Sequence, residues 1–264
     1  MHGLAQIDAQ KFVLFTLVLA RTSGLAIAAP LYGSSEVPAQ IRALLAFALA
    51  LLIAPIQWDA SPVHPQGALD YLLLVGSELA VGLSLGLGIE ILFSGILLAG
   101  QLIGRIGGLY LADVFDPATE ASIPMFSRFL YLVSLAVFLA MGGHRMVMAG
   151  LLDTFDALPP GSCAMPTSFA QTLLVVLAQS FALGIRASAP AVTALLLSTL
   201  VMGLISRTLP QLNILVVGFG MNSMLTFGVL ALTLGAGAWV FQEQIEPVLE
   251  TLLEALCAPL PATS

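Results

Sequence analysis

The sequence predicts an all-helical membrane protein, and three properties of its 264 residues support this fold class. Charged residues make up 9% of the chain and hydrophobic residues 59%, whereas charged residues form about 25% of a soluble domain. The mean hydropathy is +1.02. The apolar residues come in long runs, without the alternation typical of strands. Lipid or equally apolar partner subunits must therefore replace water over much of the surface.

The charge and the cysteine content exclude several classes of function. The net charge is −7, and the 8 basic residues are Lys11 and a set of arginines. No basic patch exists to displace counterions from phosphates, so we expect no nucleic-acid binding. The two cysteines, Cys163 and Cys257, match no metal or redox spacing, and we expect no cofactor.

The first apolar run, Phe12–Ala29, is predicted to be a retained helix. It resembles the hydrophobic region of a signal peptide, with a sequence similar to a cleavage site at Ala26–Ala28. Asp8 and Lys11 precede the run, and Arg21 interrupts it, which does not fit a signal peptide. We therefore expect the segment to stay in the protein.

The later apolar runs are predicted to be helices, since a membrane-spanning helix needs about 20 apolar residues. Polar turns and Gly142–His144 separate them, and further breaks are predicted near Pro190 and Pro210. The runs are Ala43–Trp58, Tyr71–Leu111, Met125–Met141, Arg145–Leu158, Phe169–Ala187, Pro190–Ser206 and Gln211–Phe241.

The C-terminal segment 243–264 is predicted to be an acidic amphipathic helix and tail. Four glutamates share one helix face, and apolar residues share the other. Membrane-surface helices prefer basic polar faces. An acidic face favours docking on a protein, the lining of an aqueous vestibule, or simple solvation. The glutamates are Glu243, Glu246, Glu250 and Glu254.

Several polar residues lie in or beside apolar runs, where a charge that faces lipid is costly. Glu78 and Glu90 have short side chains and lie well inside their run, so we expect them to face protein or water. For Arg186 and Arg207, near helix ends, snorkelling to the interface is the favoured interpretation. The predicted buried or inter-subunit residues are Arg21, Glu78, Glu90, Arg207, Gln211 and Asn213.

Glycines recur at intervals of four residues, which lets helix backbones approach closely. Gly100, Gly104 and Gly108 form consecutive steps and are predicted to be helix-packing residues. Residues 82–86 form another step and also match the G-x-S-x-G pattern of serine nucleophiles. Because their context is helical, packing explains this spacing better, and we expect no enzyme.

A proton-coupled secondary transporter is an alternative of a different class. Glu78, Glu90 and Arg105 lie inside apolar helices broken by glycine and proline, as in such carriers. The two halves of the chain show no matching repeat, which argues against a carrier. A carrier would be stable alone, whereas an assembly subunit would need its partners.

A series of short motifs runs in a fixed order over residues 12–240. The motifs are Arg21-Thr22-Ser23-Gly24, Ala29-Pro30, Val37-Pro38-Ala39, Ala99-Gly100-Gln101-Leu102-Ile103-Gly104, Phe115-Asp116-Pro117, Gly142-Gly143-His144, Leu158-Pro159-Pro160-Gly161, Arg207, Pro210-Gln211-Leu212-Asn213 and Val217-Gly218-Phe219. In this order they resemble the FliR family, the export-gate subunits of bacterial flagellar type III secretion. The last motif favours the flagellar branch over the virulence injectisome, which is the closest alternative. The chain departs from the family pattern at Arg105–Gly108 and at Gly220.

The resemblance implies helical hairpins, with a FliP-like half and a FliQ-like half, packed in a helical export-gate assembly. The implied gate domain covers residues 1–242, with halves of about 1–165 and 166–242. The implied partners are FliP-like, FliQ-like and FlhB-like subunits, membrane lipid and, transiently, exported unfolded proteins. The implied location is the bacterial inner membrane at the flagellar basal body, which the chain crosses several times.

The resemblance also implies a loop that helps to plug the closed pore, by position residues 107–124. Asp113, Asp116 and Glu120 require water in this segment, and its apolar residues can supply a steric block. An ordinary solvated loop outside the membrane is the alternative. The predicted plug residues are Gly107, Gly108, Leu109, Tyr110, Leu111, Val114, Phe115, Asp116 and Pro117.

We expect deletion of Leu111–Ala118 to make membranes that contain the whole complex permeable to ions, because the block is lost while the packed helices stay. Ion leakage and salt sensitivity of the cells measure this effect, and co-purification checks assembly. A tight membrane with normal assembly would show that the loop is only a connector.

Overall fold

The computed structural model describes residues 2–30, 32–33, 37–58, 63–108, 125–162, 169–208 and 214–257. All regular structure in these residues is helical, which confirms the predicted fold class. A 3-10 turn, Ala54–Gln57, extends the second helix. The helices are α1 (His2–Ala28), α2 (Ala39–Ile53), α3 (Ala68–Ile106), α4 (Met125–Ala140), α5 (Gly143–Ala157), α6 (Phe169–Thr208) and α7 (Ile214–Cys257).

Five helices of the described chain are long and apolar enough to cross a membrane, or up to six if α4 and α5 together form one span. The five spans lie in α1, α2 with its 3-10 turn, α3, α6 and α7. Gly142 separates α4 from α5 with a φ of +79°, which glycine adopts at little cost. The break predicted at Gly142–His144 is thereby confirmed.

The helix α6 continues through Pro190, so the break predicted there was wrong. Proline removes a backbone donor from a helix, but nearby hydroxyls bond to helix carbonyls. The Thr193 hydroxyl donates to the carbonyls of Ala189 and Pro190 at 2.9 Å each. The Ser188 hydroxyl donates to the Ile185 carbonyl at 3.1 Å. These hydroxyls bond to carbonyls next to that of Arg186, the group to which residue 190 would donate in a regular helix. Membrane helices tolerate proline where their surroundings satisfy the freed backbone group.

The helix α7 also continues through a proline, Pro247, and the acidic segment from residue 243 forms its last turns. The side chains Glu243, Glu246, Glu250 and Glu254 are exposed. The buried side chains are Ile245, Val248, Leu249, Leu252 and Leu256. This end of α7 is therefore amphipathic and continuous with an apolar span.

The chain divides into two compact units built from segments distant in sequence. Unit 1 consists of Met1–Ile91, Gly142–Val176 and Glu246–Ser264. Unit 2 consists of Leu92–Met141 and Leu177–Ile245. The division into halves near residue 165, with the FliP-like and FliQ-like detail, stays a prediction.

In unit 1, glycines allow α1 and the first part of α3 to pack backbone against backbone. A Cβ atom on Gly82 would collide with the Arg21 carbonyl oxygen. A Cβ atom on Gly24 would lie 2.7 Å from the Leu83 nitrogen. On Gly86 it would lie 2.8 Å from the Ala29 nitrogen. The absence of side chains at these three positions lets the two helices lie in direct contact.

The other helices of unit 1 pack around this pair. The Thr22 hydroxyl of α1 lies 3.2 Å from the Ala46 carbonyl of α2. At the end of α7, Leu252 fills the space beside Gly88 of α3. Leu253 lies against Gly150 of α5. The apolar side of the amphipathic end of α7 therefore packs within unit 1.

In unit 2, the second part of α3 packs closely on α4 and α6. A Cβ atom on Gly95 would collide with the Ser180 carbonyl, and one on Gly100 would lie 2.9 Å from the Ser127 nitrogen. The Phe93 ring is the aromatic centre of this unit. It lies 5.1–5.5 Å, between ring centroids, from the rings of Tyr131, Phe138 and Phe241.

The predicted packing glycines of α3 have three different environments. Gly100 is at a close backbone contact, as described above. A Cβ atom on Gly104 would lie 3.8 Å from the Phe126 Cβ, an ordinary van der Waals distance. Gly108, with a φ of +73°, has nothing within 4 Å among the described residues. The spacing of four residues alone therefore does not mark equal contacts.

We expect Gly82→Ala to destabilise the assembled protein by about 1–3 kcal/mol, because the added methyl group forces α1 and α3 apart. The melting temperature of the detergent-solubilised complex measures this effect. Gly76→Ala is the matched control, because a Cβ atom there meets no described residue within 4 Å. That change removes a helical glycine and should be neutral or stabilising. Equal effects of the two changes would contradict the close packing.

Candidate functional site

Two of the predicted polar residues, Arg21 of α1 and Glu78 of α3, form an ion pair inside unit 1. The Arg21 Nε donates to Glu78 Oε2 at 2.6 Å, and both side chains are 0% exposed. A buried ion pair is stable only when its remaining donors and acceptors are also bonded. The groups around the pair therefore determine whether it is stable in the interior.

The rest of the Arg21 guanidinium bonds to α5 and to the turn that follows it. The Nη1 donates to the Thr154 carbonyl at 2.8 Å and lies 3.3 Å from the Thr154 hydroxyl. The Nη2 donates to the Leu158 carbonyl at 2.9 Å. The Phe155 ring centroid lies 4.2 Å from the guanidinium carbon, an arrangement that attracts a cation to the face of the ring.

The second oxygen of Glu78 bonds to the same turn. Its Oε1 accepts the backbone N–H of Gly161 at 2.8 Å. Gly161 has a φ of +86°, a left-handed conformation that favours glycine. The carboxylate therefore links Arg21 to the backbone of the turn. Arg21, Glu78, Thr154, Leu158 and Gly161 are called the ion-pair centre below.

The ion-pair centre connects several secondary-structure elements through hydrogen bonds to charged groups. Arg21 lies on α1, Glu78 on α3 and Thr154 on α5, and the turn residues follow α5. The donors reach backbone carbonyls that helix packing holds in place. Directional bonds to a charge are about twice as strong as neutral ones. The centre can thus fix three helices and one turn in a single arrangement.

Sequence reasoning selected Arg21 and Glu78 but not their partners. Thr154 and Phe155 lie in the amphipathic run Arg145–Leu158, whose pattern singled out neither residue. The Leu158–Gly161 segment was part of the motif series, without a physical role. A charge in an apolar run indicates that the buried group needs partners, but only the packing of α5 decides which groups supply them.

The residues of the G-x-S-x-G pattern lie inside α3 and support the packing interpretation. The Ser84 hydroxyl donates to the Ala80 carbonyl at 2.6 Å, within its own helix. The two glycines of the pattern contact α1. Within the described residues, no group of three or more histidine, cysteine or acidic side chains is placed to hold a metal ion.

The predicted plug segment begins at the end of α3, in unit 2. Gly107 is buried, and a Cβ atom there would lie 2.6 Å from the Thr226 hydroxyl of α7. Gly108 follows in the left-handed conformation, after the helix has ended. The other predicted plug residues, within Leu109–Pro117, lie outside the described residues, as do Asp113 and Glu120.

The remaining predicted polar residues are placed as follows. Glu90 is half-buried on α3. Arg207 is exposed in the last turn of α6. Gln211 and Asn213 lie outside the described residues. An inter-subunit role for these four residues stays a prediction.

Comparison with known proteins gives a consistent family relationship. Residues 12–248 match the family model of bacterial export proteins, family 1. Over 251 residues the chain is 30% identical to the flagellar biosynthetic protein FliR of Bacillus subtilis, an alignment that covers 93% of this chain and 95% of the relative. Over 205 residues it is 31% identical to FliR of Aquifex aeolicus, covering 78% and 79%. Over 211 residues it is 31% identical to FliR of Escherichia coli, covering 80% and 79%.

We expect Arg21→Met and Glu78→Met each to destabilise the protein by about 3–5 kcal/mol, because each leaves a buried charge without its partner. The double variant should lose less than the sum of the two single losses, since it buries no charge. The melting temperature of the solubilised complex checks this double-mutant cycle.

The matched control for this cycle is Arg145→Met, which removes an exposed arginine from α5. It should change the melting temperature little. If the double variant lost as much stability as the two single variants together, Arg21 and Glu78 would act independently.

Proposed function

We infer a specific role from the fact that the chain belongs to the bacterial export proteins, family 1. It is a multi-pass membrane subunit of the flagellar export apparatus, as its match to this family and its FliR relatives indicate. We propose that it forms part of the pore through which unfolded flagellar proteins cross the bacterial inner membrane. The FliR relatives favour the flagellar apparatus over the injectisome.

The length of the helices is the observation that carries this proposal. The helices α3, α6 and α7 contain 39, 40 and 44 residues. At a rise of 1.5 Å per residue they measure about 58–66 Å along the helix axis. The hydrocarbon core of a bilayer is about 30 Å thick. Each helix is therefore about twice as long as one membrane crossing requires.

The apolar side chains of α6 are exposed over more than one bilayer thickness. Large apolar residues are exposed from Leu174 to Leu204, a rise of about 45 Å. Within the described structure, 22% of an 18-residue apolar stretch of α6 and 17% of such a stretch of α7 are buried, against 61% of one in α3. Neither water nor a single bilayer can cover such a surface, which favours contact with other subunits.

An exposed charge within α6 also favours contact with other subunits. Arg186 is exposed between apolar residues on both sides along the helix. A charge that faces hydrocarbon in the middle of a membrane is costly. A protein or aqueous neighbour fits this position better. We propose FliP-like and FliQ-like subunits as the neighbours in the pore wall, and an FlhB-like subunit bound outside it.

We propose that residues 107–124 block the pore when no protein is being exported. The support is local: α3 ends at Ile106, and Gly108, two residues later, has a backbone conformation that favours glycine. Such a junction allows the following segment to leave the helix direction. Arg207, Gln211 and Asn213 are proposed to contact neighbouring subunits.

We expect the chain expressed alone to be poorly stable, and co-expressed FliP-like and FliQ-like subunits to restore it, because they cover its apolar faces. The amount of protein in the membrane fraction and its elution on size exclusion measure this effect. Leu200→Glu places a charge on the exposed face of α6, where Leu200 is 66% exposed. It should block the restoration. A monodisperse, functional monomer in detergent would contradict the proposal.

A further inference from the structure

Within unit 2, α6 and α7 run antiparallel, and two contacts show which of their residues face each other. The Ser198 hydroxyl of α6 donates to the Asn222 Oδ1 of α7 at 2.8 Å. A Cβ atom on Gly218 of α7 would lie 3.9 Å from the Met202 Cε of α6. A step of four residues forward on α6 therefore matches a step of four residues back on α7.

The same register places apolar residues opposite each other on the other side of the hydrogen bond. Ala191 and Leu195 of α6 belong to a buried apolar cluster, and Leu225 and Val229 of α7 pack against it. In the register above, Leu195 lies opposite Leu225, and Ala191 lies opposite Val229. Steps of three and four residues are typical of a seam between two packed helices. With the two contacts above, these residues form four facing pairs, called the seam below.

Apolar pairs alone would allow more than one register of the seam. A shift by one turn would again place apolar side chains opposite each other, because they recur every three or four residues. Asn222 would then lie opposite Leu195 or Met202 instead of the Ser198 hydroxyl. Asn222 lies half-buried in an apolar span of α7, where an amide that loses its partner costs free energy. The polar pair therefore distinguishes the observed register from the shifted ones.

The register also decides where α7 meets the end of α3. Thr226 follows Asn222 by four residues and is 0% exposed. Its hydroxyl donates to the Asn222 carbonyl at 2.7 Å. A Cβ atom on Gly107 would lie 2.6 Å from the same hydroxyl, so the two backbones approach closely there. A shift of the seam by one turn would move Thr226 about 5 Å along the helix axis, away from Gly107.

We propose that the Ser198–Asn222 pair sets the register of α6 and α7 and thereby positions Thr226 against Gly107. A buried asparagine has this effect in coiled coils, where it selects one register at a cost in stability. Asn222 is thus a positioning residue for the point at which the proposed plug segment begins. The register depends on the seam contacts alone, whereas its consequence for the gate rests on the proposed function.

Disulfide cross-linking within the assembled complex tests the register, in a background where serine replaces both native cysteines. Two cysteine pairs report the observed register, Leu195→Cys with Leu225→Cys and Ala191→Cys with Val229→Cys. Two crossed pairs report a shift by one turn in either direction, Leu195→Cys with Val229→Cys and Ala191→Cys with Leu225→Cys. A disulfide requires Cα atoms within about 7 Å, so each pair forms a bond only in its own register. The measured quantity is the ratio of crossed to observed-register cross-links after oxidation in native membranes.

With Ser198 and Asn222 present, the observed-register pairs should dominate. Asn222→Leu should raise the ratio about tenfold, which is the size of effect expected for one hydrogen bond between membrane helices. The exchanged variant, Ser198→Asn with Asn222→Ser, keeps a hydroxyl opposite an amide and should return the ratio to its original value. Thr233→Val is the matched control, because the Thr233 hydroxyl bonds to the Val229 carbonyl of its own helix at 2.8 Å. It should leave the ratio unchanged.

An unchanged ratio in Asn222→Leu would overturn the proposal, and so would an equal rise in Thr233→Val. A ratio that stays raised in the exchanged variant would also overturn it, because the hydrogen bond would then not carry the effect. Asn222→Ala replaces Asn222→Leu if the leucine variant does not assemble. Ion leakage of cells that make the whole complex is measured in parallel. Shifted cross-links with a tight membrane would support the register role and count against the gate role of the Gly107 contact.

Discussion

A charge inside an apolar protein must find its partners there, and the packing of unit 1 depends on how Arg21 and Glu78 meet this constraint. Neither residue reaches water, so every donor and acceptor that lacks a partner would cost free energy. The carbonyls of Thr154 and Leu158 and the N–H of Gly161 supply partners from the backbone. They can do so only when α1, α3 and α5 lie at fixed distances. The ion pair thus selects one arrangement of helices whose apolar surfaces alone would fit together in many ways.

Small residues provide the close approach that this arrangement needs. Apolar side chains gain little from packing on each other when lipid is equally apolar, so backbone contacts and hydrogen bonds carry the association. The Gly82 contact brings α3 onto the carbonyl of Arg21 itself. Glycine packing and the ion pair therefore act at the same place. Hydroxyl side chains such as Ser84 and Thr193 bond to carbonyls of their own helices, which satisfies these polar groups inside an apolar protein.

The exposed apolar surfaces of the described helices differ in length and charge. On α2, exposed apolar residues lie between Ile41 and Ile56, and Ala43–Gln57 contains no charged residue. The band on α6 extends about 45 Å and includes Arg186. The length and the charge of each exposed face distinguish the two surfaces better than their hydropathy does.

The composition and the order of apolar runs determined the helical membrane fold, because no soluble fold can hide so many apolar residues. The motif order determined the family, and the burial needs of Arg21 and Glu78 followed from charge in an apolar run. Tertiary structure alone decided that Gly100 lies at a close contact and Gly104 does not, since spacing gives a helix face but not its neighbour. It also decided that α6 continues through Pro190, since a proline in the sequence does not tell whether the surroundings hold the helix on both sides of it. The backbone carbonyls that bond to Arg21, those of Thr154 and Leu158, lie more than a hundred residues away along the chain, and only the packing of the helices brings them to it.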